Sequence, residues 1–328
     1  MVSPPPFVLV TGAAGFLGRH TSAAFARAGW KVVGVGNGVL SRREQALLGM
    51  AGWWRGRVTA GLVGEVIAEH GAPDVVVHAA GGSSVRAAAE DPANDHNRTV
   101  AATAEVVEAL HCRAPEARLL LSSSAAIYGN DHVEPISEHT APAPISTYGL
   151  HKLRAEELCL EAAAQHQLRV AIVRFFSLYG NGLRKQIFWD LWNKIIAGGP
   201  VRLGGTGGET RDFLHVSDAV QLLLHIVEGS EPGPPLIVNG GTGRATAIRD
   251  AAALMLRLSG RDNEIEFEGR PRKGDPLHLV ADVGRSRAGG FDPRVELADG
   301  LADYIAWAAG GCLPAVTDRP ISTRLGAI

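Results

Sequence analysis

A chain of 328 residues, 46% hydrophobic and 20% charged, carries enough apolar material for a large core, which excludes a disordered protein. Its formal net charge of -2 supplies no basic face for nucleic acid, so no nucleic-acid partner is expected. The three cysteines, Cys112, Cys159 and Cys312, are far apart and odd in number, which suits a reducing compartment better than a disulfide framework. No leader and no bilayer-length apolar run stands out, so a cytoplasmic protein without a membrane partner is expected.

Along the chain, apolar runs rich in β-branched residues read as buried parallel strands at 7–11, 31–35, 75–78, 118–122 and 169–175. Helix-period segments at 18–28, 64–70, 99–110 and 147–167 alternate with them. This order predicts an α/β fold, a Rossmann-type doubly wound parallel sheet, over residues 1–176. Beyond Phe176 glycines cluster at 198–199 and 204–208, and prolines at 232–235. A strand at 235–239 returns to the sheet, and helices are expected at 248–258 and 297–309, around a loop-rich basic stretch at 269–293. Residues 177–328 are thus expected to form mainly a smaller, interleaved substrate lobe, with 213–242 returning to the first domain. The Trp53–Trp54 pair fits either a core plug or a contact surface.

Directly after the first strand stands Thr11-Gly12-Ala-Ala-Gly15-Phe-Leu-Gly18, opening a helix. Gly12 allows the tight turn, Gly15 lets backbone approach a pyrophosphate, and Gly18 allows close packing of the helix. The anion would rest on unpaired N–H groups at the helix N-terminus. The end of the second strand usually carries an acid for a ribose diol, but here it reads Val35-Gly36-Asn37-Gly38. Arg42 and Arg43 follow; they either reach a ribose 2′-phosphate, which tilts NAD(P) towards NADP, or stay solvated.

Tyr148 and Lys152 are four residues apart and share one helix face. A phenol is a poor base at its free pKa of about 10, and a neighbouring ammonium favours the phenolate. Ser122, Ser123 and Ser124 end a strand at the sheet's carboxyl edge, where a hydroxyl can hold a substrate oxygen while Tyr148 moves its proton. The twelve histidines show no metal spacing, and His78, His151 and His215 are read as packing.

Taken with PDVVVHAA (73–80), SSSAAIYG (122–129), YGLHKLRAE (148–156), RFFSLYGNG (174–182), ETRDFLHVSD (209–218), VNGGTGRATAI (238–248) and RKGDPLHLVAD (272–282), these motifs resemble one family over nearly the whole chain. It is the NAD-dependent epimerase/dehydratase family of extended short-chain dehydrogenases, typified by UDP-galactose 4-epimerase. The resemblance implies a catalytic Ser124, Tyr148 and Lys152. It also implies cofactor contacts at Gly12, Gly15, Phe16, Leu17, Gly18, Asn37, Ala79 and Ala80. Arg211 and Arg272, followed by Asp212 and Asp275, would grip the diphosphate of a nucleoside diphosphate sugar, and Ser84 and Ser177 would line the sugar pocket. A homodimer through the helices at 99–110 and 147–167 is implied as well. The chain departs from the family pattern at Ser177, where asparagine is usual, and at Thr99-Val100, where Asn-Val is common.

Dehydratases and decarboxylases of this family carry an acid beside the catalytic hydroxyl, where this chain has Ala125 and Ala126. Hydride chemistry alone remains. A 4-epimerase oxidises the sugar C4 and returns the hydride to the other face; a 4-ketoreductase performs only the second half with NADPH. A silent dinucleotide-binding sensor generally lacks the Tyr-x-x-x-Lys pair that this chain keeps.

Overall fold

The computed structural model describes residues 4–130, 132, 135–229, 233–271 and 276–310. Strand β1 (Phe7–Thr11) runs into α1 (Phe16–Arg27), followed by β2 (Lys31–Gly36), α2 (Arg42–Leu47), β3 (Met50–Arg55), α3 (Ala60–His70) and β4 (Val75–His78). Then come α4 (Val85–Glu90), α5 (Pro92–His96), a π-turn at Asn97–Ala101, α6 (Ala102–Arg113), β5 (Arg118–Ser124), α7 (Thr147–His166) and β6 (Arg169–Phe175). These strands, with β11 (Leu236–Gly240) from later in the chain, form a seven-stranded sheet in the order β11-β6-β5-β4-β1-β2-β3. All of its neighbours are parallel.

The central strands are apolar throughout because both sheet faces are covered. Val8 and Val10 face one cluster with Phe25 and Leu223, while Leu9 faces the other with Val76 and Val106. Each such side chain contributes about 1.5–3 kcal/mol on full burial, so the continuous runs are what fix these strands inside. Strand β3 has no expected counterpart. Its stretch Met-Ala-Gly-Trp-Trp-Arg is only partly buried at the sheet edge, so no apolar run marks it. The two tryptophans alternate across it, Trp53 against the first cluster and Trp54 against the second, so they serve the core.

After β6 the chain forms β7 (Ser177–Tyr179), α8 (Gln186–Ala197), β8 (Val201–Leu203), β9 (Thr210–Arg211), β10 (Phe213–His215) and α9 (Val216–Gly229). There follow β11 (Leu236–Gly240), β12 (Thr246–Ala247), α10 (Ile248–Ser259), β13 (Ile265–Phe267), β14 (His278–Leu279), α11 (Gly284–Ala288) and α12 (Leu297–Gly310). The strand expected at 235–239 does rejoin the sheet, with Leu236 opposite Ala171 on β6. A third cluster of Phe188, Leu191, Trp192, Met255 and Tyr304 binds α8, α10 and α12 together. The basic stretch expected as loop contains β14 and α11. No helix among the described residues is long and apolar enough to cross a membrane.

A buried polar network clamps α7 to the sheet. Arg174 on β6 meets Glu156 on α7 at 2.8 Å, their side chains 5% and 1% exposed. Ser123 donates to the same carboxylate, Arg174 donates to the Tyr128 hydroxyl, and that hydroxyl donates to Asn239 on β11. α7 therefore cannot slide relative to β5, and the site below depends on that.

Candidate active site

The carboxyl ends of β1, β4, β5 and β6 open onto one cleft of about 1020 Å³, at the top of the usual range of about 300–1,000 Å³ for a ligand pocket. Its floor is the loop after β1. Gly12 holds a φ of 70°, and a Cβ there would meet Ala80 N at 2.6 Å. A Cβ on Gly18 would meet the Gly12 carbonyl oxygen at 2.2 Å, so this glycine seats α1 on the loop itself, a closer contact than the strand packing expected. At Gly15, by contrast, only the Gly12 oxygen, at 3.0 Å, is close, and the residue caps α1 with no side-chain hydrogen bond. The N-terminal amides of α1 are thus bare towards the cleft, a fit for the pyrophosphate of a dinucleotide.

Phe16, Leu17, Asn37, Ala79 and Ala80 also line the cleft as expected. Beneath Ala79, His78 is pinned between Thr11 and Thr103 at 2.6 and 3.0 Å. Burial first, then the charge of Lys152, pushes it down to about 3, so it is neutral and structural. Arg42 and Arg43 do not join the lining; they are exposed on α2, whose inner contact is the Arg19–Glu44 ion pair. Gly36 has a packing reason, since a Cβ there would sit 3.3 Å from the Trp53 ring. The cation that stands in the wall beside it is Arg57, next to Gly56, whose amide donates to the Gly36 carbonyl.

The three residues expected to be catalytic, Ser124, Tyr148 and Lys152, converge. Ser146 caps α7, its hydroxyl accepting from Gly149 N, and Tyr148 and Lys152 lie in the first turns on the face towards β5. The Tyr148 hydroxyl hydrogen-bonds with Ser124, and Lys152 Nζ donates to the Ser122 carbonyl at 3.0 Å. Lys152 Nζ stands 5.9 Å from the centre of the Tyr148 ring. Burial pushes Tyr148 up to about 12, opposed by the Ser124 hydrogen bond and assisted by the charge of Asp95. The expected lowering of the phenol is therefore not seen in the protein alone, because desolvation of the phenolate dominates. Burial also brings Lys152 down to about 8, with Asp95 and then Glu156 opposing.

Of the expected substrate residues, Ser177 and Arg211 line the cleft, and Ser84 does so while capping α4 through Ala87 N. Asp212 does not serve Arg211 as expected; it is buried and accepts from Thr242, Gly243 and Ala281. Arg272 and Asp275 lie outside the described residues. His151 is not merely packing: its Nδ1 lies 2.7 Å from the buried carboxylate of Asp95. Sequence reasoning missed Asp95, Arg57, Arg98 and Lys185. Asp95 is separated by 56 residues from His151, and the other three belong to no motif.

The NAD dependent epimerase/dehydratase family model matches residues 8–241. The chain belongs to that family. The UDP-glucose 4-epimerase of Azospirillum brasilense is 32% identical, with 92% of each chain covered. MoeE5, solved in complex with UDP-glucuronic acid and NAD, superposes with a TM-score of 0.83 at 31% identity, covering 93% of this chain and 99% of its own. The UDP-glucose 4-epimerase of Thermotoga maritima, solved with UDP-glucose, gives a TM-score of 0.84 at 25% identity, covering 93% and 99%.

Proposed function

We propose that this family member is a UDP-sugar 4-epimerase that works with NAD. The observation that supports it most is the convergence of Ser124, Tyr148 and Lys152 in the same cleft as the bare N-terminus of α1. A dinucleotide held at Gly12, Gly15 and the N-terminus of α1 would supply the hydride acceptor and donor. Everything else falls to side chains of this chain. Ser124 holds the C4 hydroxyl of the sugar by a hydrogen bond. Tyr148 takes that proton while C4 is oxidised and gives it back when the ketone is reduced. A phenol held near 12 takes a proton only as phenolate, so the positive charge of Lys152 has to be complemented by that of an oxidised nicotinamide. Lys152, fixed on the Ser122 carbonyl, contributes a stationary charge that needs no reorganisation.

Ala125 and Ala126 leave no side-chain acid beside Ser124 for elimination, which supports epimerisation over dehydration. NAD is favoured because both arginines that tilted the reading towards NADP stand outside the cleft wall, and relatives such as MoeE5 were solved with NAD. Arg57 beside Gly36 supports a second reading, an NADPH-dependent 4-ketoreductase. The homodimer through α6 and α7 stays in the proposal on the resemblance alone; sedimentation tests it. Tyr148→Phe should lower kcat for UDP-sugar interconversion by at least a hundredfold. Turnover unaffected on UDP-glucose, UDP-glucuronate and UDP-N-acetylglucosamine would remove the acid/base role. NADPH-dependent ketone reduction without interconversion would favour the second reading.

A further inference from the structure

We infer that His151 is a positioning residue: its hydrogen bond to the buried carboxylate of Asp95 keeps a fixed negative charge beside Lys152. The inference rests on the acid/base reading of Tyr148 and Lys152 above and adds the pair that keeps the lysine charged. His151 directly precedes Lys152 on α7, and its side chain leaves the helix in another direction, towards α5. There its Nδ1 lies 2.7 Å from Asp95 Oδ2, with the two side chains 13% and 5% exposed. An ionised carboxylate only accepts, so Nδ1 carries the proton and donates it. The ring of His96, exposed on the same α5, stands edge to face against His151 with centroids 5.4 Å apart.

Asp95 Oδ1 meets the loop after β4. A Cβ on Gly82 would fall 1.7 Å from it, so the carboxylate fills the space that a side chain at 82 would need. A Cβ on Gly81, the residue before, would fall 3.2 Å from Lys152 Nζ. Carboxylate and ammonium therefore flank one dipeptide, and Thr99 locks it by accepting from Gly82 N at 2.8 Å. Both glycines line the cleft. The charges that face Lys152 are few. Burial first lowers its ammonium; Asp95 and then Glu156 oppose, and Lys185 adds to the lowering. His78 and the Tyr148 phenol are neutral and bring no charge. Glu156 is already held by Arg174 and Ser123, whereas Asp95 forms no ion pair with a lysine or arginine among the described residues. A buried carboxylate without a donor takes up a proton instead. His151 supplies that donor without cancelling the charge, because an imidazole in its neutral form donates a hydrogen bond and brings no charge of its own.

The test is the pH dependence of kcat for UDP-sugar interconversion by the holoenzyme. His151→Leu should bring the alkaline limb down by about half a pH unit or more, as the loss of one nearby charge implies. His151→Asn, whose amide nitrogen takes the place of Nδ1, should return the limb to its wild-type position. Asp95→Asn combined with His151→Leu should shift it no further than Asp95→Asn alone, since both changes remove the same charge. A lower kcat in His151→Leu with the limb unmoved would assign the histidine to helix packing and overturn the inference. Additive shifts in the double variant overturn it as well, because His151 would then act apart from Asp95. If the wild type interconverts no UDP-sugar, the epimerase reading fails, and lysine side-chain NMR of the holoenzyme decides instead. Lys152→Met assigns the signal, and an ammonium that titrates alike in wild type and His151→Leu overturns the inference there too.

Discussion

Replacing Lys152 by methionine should abolish turnover and yet make the protein more stable. In the dinucleotide-free protein burial lowers its ammonium from 10.5 to about 8 despite the opposing charges of Asp95 and Glu156. That displacement corresponds to about 3 kcal/mol of unfavourable burial when the group is charged in both states. Methionine of similar length removes the charge but gives up the hydrogen bond to the Ser122 carbonyl, worth about 1 kcal/mol. The net expectation at pH 7 is a gain of about 2 kcal/mol. The sign follows from linkage: the folded-state value lies below the unfolded one, so between about 8 and 10.5 the unfolded chain binds more protons. Wild-type stability should therefore rise through that window from this group, and the advantage of the variant should vanish by its upper end. Urea unfolding of the dinucleotide-free proteins, followed by tryptophan fluorescence, measures both. A variant less stable by more than about 1 kcal/mol at pH 7, or a gap that does not change with pH, would refute the reasoning.

Three further outcomes are expected. Glu156→Ala leaves Arg174 buried without its carboxylate and should destabilise by about 3–5 kcal/mol in urea unfolding, whereas a loss below about 1 kcal/mol would mean that water or rearrangement satisfies the guanidinium. Gly18→Ala places a methyl 2.2 Å from the Gly12 carbonyl oxygen and 2.7 Å from Ala13 Cα, backbone that cannot swing aside, so the fraction of protein purifying with dinucleotide, read by absorbance and mass spectrometry, should collapse. Asp95→Asn removes the largest charge that keeps Lys152 protonated, so the alkaline limb of the pH–rate profile should move to lower pH; an unmoved limb would show that Asp95 does not brace Lys152.

Much of this site is legible in the sequence because the chemistry is local. The loop from Gly12 to Gly18 must turn within a few residues, and at Gly12 and Gly18 only glycine survives the backbone contacts. Tyr148 and Lys152 share a helix face by spacing alone, and Ser124 is delivered by the strand that ends there. Buried parallel strands announce themselves by unbroken apolar runs, whereas β3 escaped notice because an edge strand is only partly buried. What the tertiary structure alone decided is the electrostatics. Arg42 and Arg43 follow β2 closely in sequence, yet α2 carries them outside the cleft, while Arg57 enters it beside Gly36. Asp95 meets His151, and Lys185 reaches Ser83 across 102 residues, because separate elements converge at one sheet edge. The direction of the Tyr148 and Lys152 shifts is likewise a property of burial, and burial is set by the packing of the whole fold, which a four-residue spacing does not contain.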